Sequence, residues 1–242
     1  MTVSGRSGAT TVTPSVDFSK TLYTASTWIL PILIAITFHE AAHAYAAWKL
    51  GDDTAYRQGR VTFNPLKHVD PFGTILVPGI LLLTGSSFLF GWAKPVPVAF
   101  GHLRNPRRDM ALVAVAGPVT NVVLAGISAL LFHGIGSLPA NASAWAGQAL
   151  YQSIVLNLLL AIFNMLPIPP LDGSRILMSV LPGVLARAYA RLERFGLLVV
   201  LGLLFVLPMV GRQIGLNLDL FRWLVRTPLA LTLPIFERIG GL

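Results

Sequence analysis

Apolar residues in this chain gather into long runs separated by short polar or proline-rich connections, the pattern of helices that cross a bilayer. Runs near the spanning length of about 20 residues cover Leu22 to Leu50, Thr74 to Trp92, Met110 to Ile135, Gln148 to Leu166 and Phe195 to Val210. A shorter apolar helix, Leu171 to Leu185, follows the fourth run, and Asp219 to Ile239 mixes Arg, Trp, Leu and Phe as an interfacial helix or a last span does. The pattern predicts an all-α polytopic membrane protein of about five to six transmembrane helices. Two connections differ. "YRQGRVTFNP" and "GWAKPVPVAF" alternate bulky apolar residues with polar ones or proline, which predicts short re-entrant or interfacial β-hairpins. Their backbone edges need protein cover in lipid, and an uncovered edge is able to pair with an extended peptide.

Composition agrees with this reading. Of 242 residues, 54% are hydrophobic and 12% charged, and the mean hydropathy is +0.70, outside the range of soluble domains. The first 20 residues are polar and lack the apolar core of a cleavable signal peptide. They read as a flexible N-terminal tail, residues 1–20. Residues 21–242 read as a single integral-membrane domain, with a core at about 22–185 and C-terminal helices over 186–242.

The net charge of +8 is scattered between apolar runs, which suits membrane topology and anionic lipid and argues against a nucleic-acid partner. Counting basic residues on alternate sides groups Arg6, Lys20, Lys94, Arg104, Arg107, Arg108, Arg175, Arg187, Arg191 and Arg194 on the cytoplasmic face. Lys49, Arg57, Arg60 and Lys67 fall on the other.

There is no cysteine, so a metal has only His, Asp and Glu to hold it. Within the first run stands "FHEAAHA", Phe38 to Ala44. Four-residue spacing puts His39 and His43 on one helix face, where two imidazoles reach one ion, while Glu40 points roughly 100° away and is placed to act on a metal-bound water. This HExxH pattern is that of zinc proteases with the glutamate as general base. A catalytic zinc usually takes three protein ligands. Asp172, in "NMLPIPPLDGSRIL", is the evident third donor, because Pro167, Pro169 and Pro170 interrupt the helix there as at the wall of a cavity. The competing reading of Asp172 is a helix N-cap. His68, beside Asp70, reads as a residue in a satisfied turn.

Together, "FHEAAHA", "AGPVTN" (Ala116 to Asn121) and "NMLPIPPLDG" (Asn164 to Gly173) resemble the site-2 proteases, which are intramembrane zinc metalloproteases. The resemblance covers about Phe38 to Arg175, and "GRVTFNPLKHVDPFGT" and "GWAKPVPV" also look like the bacterial members. It implies a minimal bacterial-type core without a PDZ or CBS domain, in a cell membrane. It further implies one Zn2+ per chain on His39, His43 and Asp172, with Glu40 as general base and a transmembrane protein as substrate. By the same resemblance Asn121 lies near the zinc, where its amide holds substrate backbone or steadies an oxyanion; the alternative is a buried asparagine bonding a neighbouring helix. Asn164 is a weaker candidate of the same kind. A rival reading of the whole cluster is a metal or proton transporter using His39, His43 and Asp172 as a transit site.

Overall fold

The computed structural model describes residues 18–77, 80 and 91–242. The N-terminal tail and most of the Thr74 to Trp92 run lie outside the described residues. Helix α1, Phe18–Lys49, is 32 residues long, enough to cross a hydrocarbon core of roughly 30 Å. Helix α2, Pro106–Leu131, opens on a proline whose missing N–H is not needed in a first turn, and Asp109 caps that turn by accepting from the Asn105 N–H at 2.8 Å. Helix α3 is Ala140–Asn164, and the short helix α4 is Asp172–Val180. Helix α5 runs over Gly183–Gln213, and α6 over Thr227–Gly240, stopped by Gly241 at φ +70°.

Helices α1, α2 and α3 pack against one another and hold the site. What they bury is small: Ala35, Ala44 and Ala47 on α1, Ala125 and Ala129 on α2, Ala161 on α3. Their large side chains, such as Ile29, Leu30, Val123 and Leu130, face outward. Such an arrangement is natural in lipid, where apolar side chains gain nothing by leaving the solvent and close backbone approach drives association. α6 seals the far end, where Phe236 and Leu233 pack on a cluster of Ala125, Ala129, Phe132 and Ile154.

Among the described residues four helices are long and apolar enough to cross a membrane: Leu22–Lys49, Pro106–Ser137, Ala140–Asn164 and Gly183–Gln213. They correspond to four of the five runs expected. The remaining run, Thr74 to Trp92, lies mostly outside the described residues. Its two described ends are joined, with Trp92 N–H donating to the Gly73 carbonyl at 3.1 Å, Thr74 Oγ1 to the Trp92 carbonyl at 2.8 Å, and Lys94 N–H to the His68 carbonyl at 2.9 Å. Both ends of the run therefore lie on one face.

Two further expectations change with that contact. The β-hairpins have no counterpart among the described residues: "YRQGRVTFNP" ends in a short helix and turns, and residues 91–99 form an extended strap without a ladder partner. Pro65, Pro95 and Pro97 have no N–H to give to a ladder. The two groups of basic residues also merge. Arg60 donates to the Lys94 carbonyl at 2.7 Å, and the Arg104 N–H to the Leu50 carbonyl at 3.0 Å, so residues once assigned to opposite faces share the C-terminal end of α1. The start of α1 lies at the other end, where Trp145 Nε1 on α3 donates to Ser26 Oγ at 2.9 Å. Lys20, near that start, is thereby separated from Lys94 by the length of α1.

Candidate metal centre

The imidazoles of His39 and His43 project from α1 toward α2 and α4. Their Nε2 atoms lie 3.0 Å apart, and Asp172 Oδ2 lies 3.2 and 3.3 Å from them. Among the described residues this is the one group of three His, Cys, Asp or Glu whose ligand atoms converge within 4.8 Å.

Hydrogen-bond polarity decides what the cluster is for. His43 Nδ1 lies 2.8 Å from the Val113 carbonyl, which only accepts, so Nδ1 carries the proton. His39 Nδ1 lies 2.6 Å from Asn121 Oδ1. The Asn121 amide nitrogen is committed elsewhere, to Asn157 Oδ1 at 2.8 Å and the Ala35 carbonyl at 3.3 Å, so its oxygen faces His39 and the His39 proton is also on Nδ1. In the neutral rings both Nε2 atoms then turn their lone pairs to each other and to a carboxylate oxygen. Asp172 Oδ2 is buried beside them, with two imidazole nitrogens at contact distance. Two neutral imidazoles and one carboxylate converging on one point are a donor set that zinc takes.

Two glycines make this convergence sterically feasible. A Cβ on Gly117 would stand only 2.7 Å from His39 Nε2 and closer still to the His43 ring, so the α2 backbone can lie against both imidazoles only where a side chain is missing. A Cβ on Gly173 would strike the Met165 and Leu166 carbonyls, where α4 starts on the turn that ends α3. Asp172 is the first residue of α4, the cap position falls on Leu171, and no side-chain cap bond is made. The N-cap reading of Asp172 is thereby set aside.

Glu40 is half-buried, and its Oε2 accepts from the Val96 N–H at 2.8 Å. Oε1 has no protein partner among the described residues. Val96 lies between Pro95 and Pro97, in the strap of residues 91–99. That strap is held along its length. Arg60 binds it at Lys94, Glu40 at Val96, and Asp52 Oδ2 takes the Ala99 N–H at 2.7 Å. Asp52 is fully buried and also accepts from Thr54 N–H and Oγ1 at 3.0 and 2.5 Å. Burial alone would raise its pKa, but the hydrogen bonds from Thr54 and Ala99 outweigh that and hold it below the usual carboxylate value. Phe100, at the end of the strap, lies under the Arg175 guanidinium at 4.8 Å, and Arg175 pairs with Glu193. The helix carrying Asp172 is thus tied to the same strap as the helix carrying Glu40.

Asn121 is fully buried behind His39 with both ends of its amide in use, the arrangement of the alternative reading in which a buried asparagine bonds a neighbouring helix. Asn164 donates to the Leu160 carbonyl of its own helix at 3.0 Å and makes no hydrogen bond into the cluster among the described residues. His68 is buried in a turn as expected, its Nε2 2.9 Å from the Thr62 carbonyl, but its Nδ1 is buried without a hydrogen-bond partner among the described residues, so the ring is only half satisfied. Three residues that shape the site escaped the sequence reading, namely Asn157, Asp52 and Arg60. Asn157 carried a usable signal, a polar residue inside an apolar run.

The chain resembles known proteins over most of its length. The model of Peptidase family M50 matches residues 133–207, a stretch that holds Asp172. "Putative zinc metalloprotease YwhC" of Bacillus subtilis (strain 168) is 44% identical over 185 residues, covering 75% of this chain and 80% of that protein. "Putative zinc metalloprotease Rip2" of Mycolicibacterium smegmatis is 32% identical over 180 residues, covering 74% of this chain and 66% of that protein. "Putative zinc metalloprotease MJ0611" of Methanocaldococcus jannaschii is 32% identical over 140 residues, covering 58% of this chain and 63% of that protein. No solved structure matches the chain. With four membrane-length helices around a His-His-Asp cluster, the chain belongs to peptidase family M50, the site-2 proteases, and is a multi-pass membrane zinc metalloprotease.

Proposed function

We propose that the protein hydrolyses a peptide bond within or near a transmembrane segment of a membrane-protein substrate, using one zinc ion on His39, His43 and Asp172 and Glu40 as general base. One observation carries this reading: the Nε2 atoms of His39 and His43 and a carboxylate oxygen of Asp172 converge between helices of membrane-spanning length, with the Glu40 carboxylate one residue along α1. When bound, zinc lowers the pKa of a water toward about 7 and polarises the scissile carbonyl. Glu40 accepts a proton from the attacking water on Oε1, since Oε2 is held by Val96, and returns it to the leaving nitrogen. His39 and His43 keep their Nδ1 protons on Asn121 and Val113 throughout and so stay oriented. The substrate's scissile amide, otherwise shielded within a helix, has to unwind before it reaches Glu40, so helix-breaking residues near the cut favour cleavage. The working unit is residues 21–242 in a lipid bilayer, with no role for nucleic acid. A transporter is not favoured, because Glu40 has no transit role and the relatives are named proteases.

The test compares purified wild type with Glu40→Gln for zinc per chain and cleavage of a transmembrane model peptide. Equal zinc with cleavage lost only in the variant is expected. Normal cleavage by the variant removes Glu40 from the chemistry, and a wild type that takes up no zinc after metal loading overturns the site.

A further inference from the structure

Behind His39 runs a string of hydrogen bonds that the proposed chemistry does not itself require. Ser153, Asn157 and Asn121 are polar residues in the interior of α2 and α3, and Asn121 and Asn157 are fully buried. Asn157 Nδ2 donates to the Ser153 carbonyl at 2.9 Å and lies 3.2 Å from Ser153 Oγ, which in turn sits 2.8 Å from Ser128 Oγ. Asn157 Oδ1 accepts from Asn121 Nδ2 at 2.8 Å, and Asn121 Oδ1 faces His39 Nδ1 at 2.6 Å.

Each link fixes the direction of the next. The Ser153 carbonyl only accepts, so the Asn157 amide is turned with its nitrogen toward Ser153 and its oxygen toward Asn121. An oxygen at that point requires the Asn121 nitrogen, which leaves the Asn121 oxygen for His39. An oxygen at His39 requires a proton on Nδ1, which leaves Nε2 bare. Flipping Asn121 would present its NH2 to Nδ1, move the proton to Nε2 and remove a metal ligand. The Ala35 carbonyl opposes that flip too, but at 3.3 Å it is the longer contact.

We infer that Asn157 is a positioning residue for the metal centre: through Asn121 it sets the tautomer of His39, from a helix that supplies no ligand. This rests on the reading of His39 as a zinc ligand. A purely structural role for Asn157 makes a different forecast: leucine strands the Asn121 amide and the Ser153 carbonyl and so lowers thermal stability, but leaves zinc affinity and the cobalt spectrum where they were.

The experiment loads purified wild type, Asn157→Leu and Asn157→Asp with zinc or cobalt. It measures zinc affinity by chelator competition, the visible absorption of the cobalt form, and thermal unfolding. A protonated aspartate donates to the Ser153 carbonyl and still presents an acceptor oxygen to Asn121 Nδ2, whereas leucine does neither. The expected result is a roughly tenfold loss of zinc affinity and a shifted cobalt spectrum in the leucine variant, and recovery of both in the aspartate variant. If the leucine variant fails to fold, Asn157→Ala enters the same comparison. A variant lacking the acceptor that keeps wild-type affinity and spectrum overturns the relay alone. A wild type that binds neither metal overturns the zinc reading and the relay with it.

Discussion

The Val96 N–H donates to Glu40 Oε2 at 2.8 Å, so a backbone donor from a proline-flanked strap holds one oxygen of a carboxylate on α1 and leaves the other turned free. This explains how a carboxylate in a membrane helix keeps one orientation. A hydrogen bond to a charged group contributes about 1.5–3 kcal/mol, and here it comes from a residue whose two neighbours have no N–H to offer.

Removing that donor should separate binding from chemistry. Val96→Pro is expected to lower turnover of a transmembrane peptide by about tenfold or more while zinc per chain stays at the wild-type value. Unchanged turnover in this variant would show that the strap does not orient Glu40.

Gly117 is the position at which a single methyl group should be most damaging to the metal site. In Gly117→Ala the new Cβ meets both imidazoles, and overpacking of this kind costs about 1–3 kcal/mol. Zinc affinity measured by chelator competition should fall by at least about tenfold, with the helical circular dichroism intact. Wild-type affinity in this variant would mean that α2 does not lie against the histidines in the membrane.

Asp52 ties the strap to the end of α1, and its carboxylate accepts on both oxygens. Asp52→Asn puts an NH2 against either the Ala99 or the Thr54 N–H, so it should destabilise the protein by about 1–3 kcal/mol, read as a lower unfolding temperature. The pH dependence has a fixed sign. Because the folded pKa is depressed, the contribution of Asp52 is complete above its unfolded value of about 4 and is lost as pH falls through the lower folded value. Wild type should therefore lose more stability on acidification than Asp52→Asn, and parallel curves would contradict the assignment.

Topology is open to a labelling test. Single cysteines at positions 67 and 104 should react with an impermeant maleimide from one face of the membrane, and one at position 140 from the other, since Leu50 bonds Arg104 while Ser26 bonds Trp145. Labelling of positions 67 and 104 from opposite faces would restore Thr74 to Trp92 as a crossing.

The cluster itself was legible in the sequence because its chemistry is local. Two histidines at helical spacing share a face wherever the helix goes, and an aspartate after a proline-broken run has few reasons to stand at membrane depth. Asn157 and Asp52 were not legible in the same way, since their partners Asn121 and Ala99 lie far along the chain and no spacing rule links them. Thr74 to Trp92 differs for a related reason: hydropathy measures whether a run is apolar enough to cross, and the contact that brings its ends Gly73 and Trp92 together is tertiary. The basic residues follow, because the side counted after that run depends on whether it crosses. Asn121 was placed near the right atom, and only the geometry of its amide shows that it serves His39.

The order of the site along the chain has a consequence for biosynthesis. His39, Glu40 and His43 leave the ribosome with the first helix, but Asp172 opens α4, whose Gly173 sits against the Met165–Leu166 turn at the end of α3. A growing chain therefore carries Glu40 and the two histidines through much of its synthesis without the third member of the cluster, which closes only when Asp172 has been made.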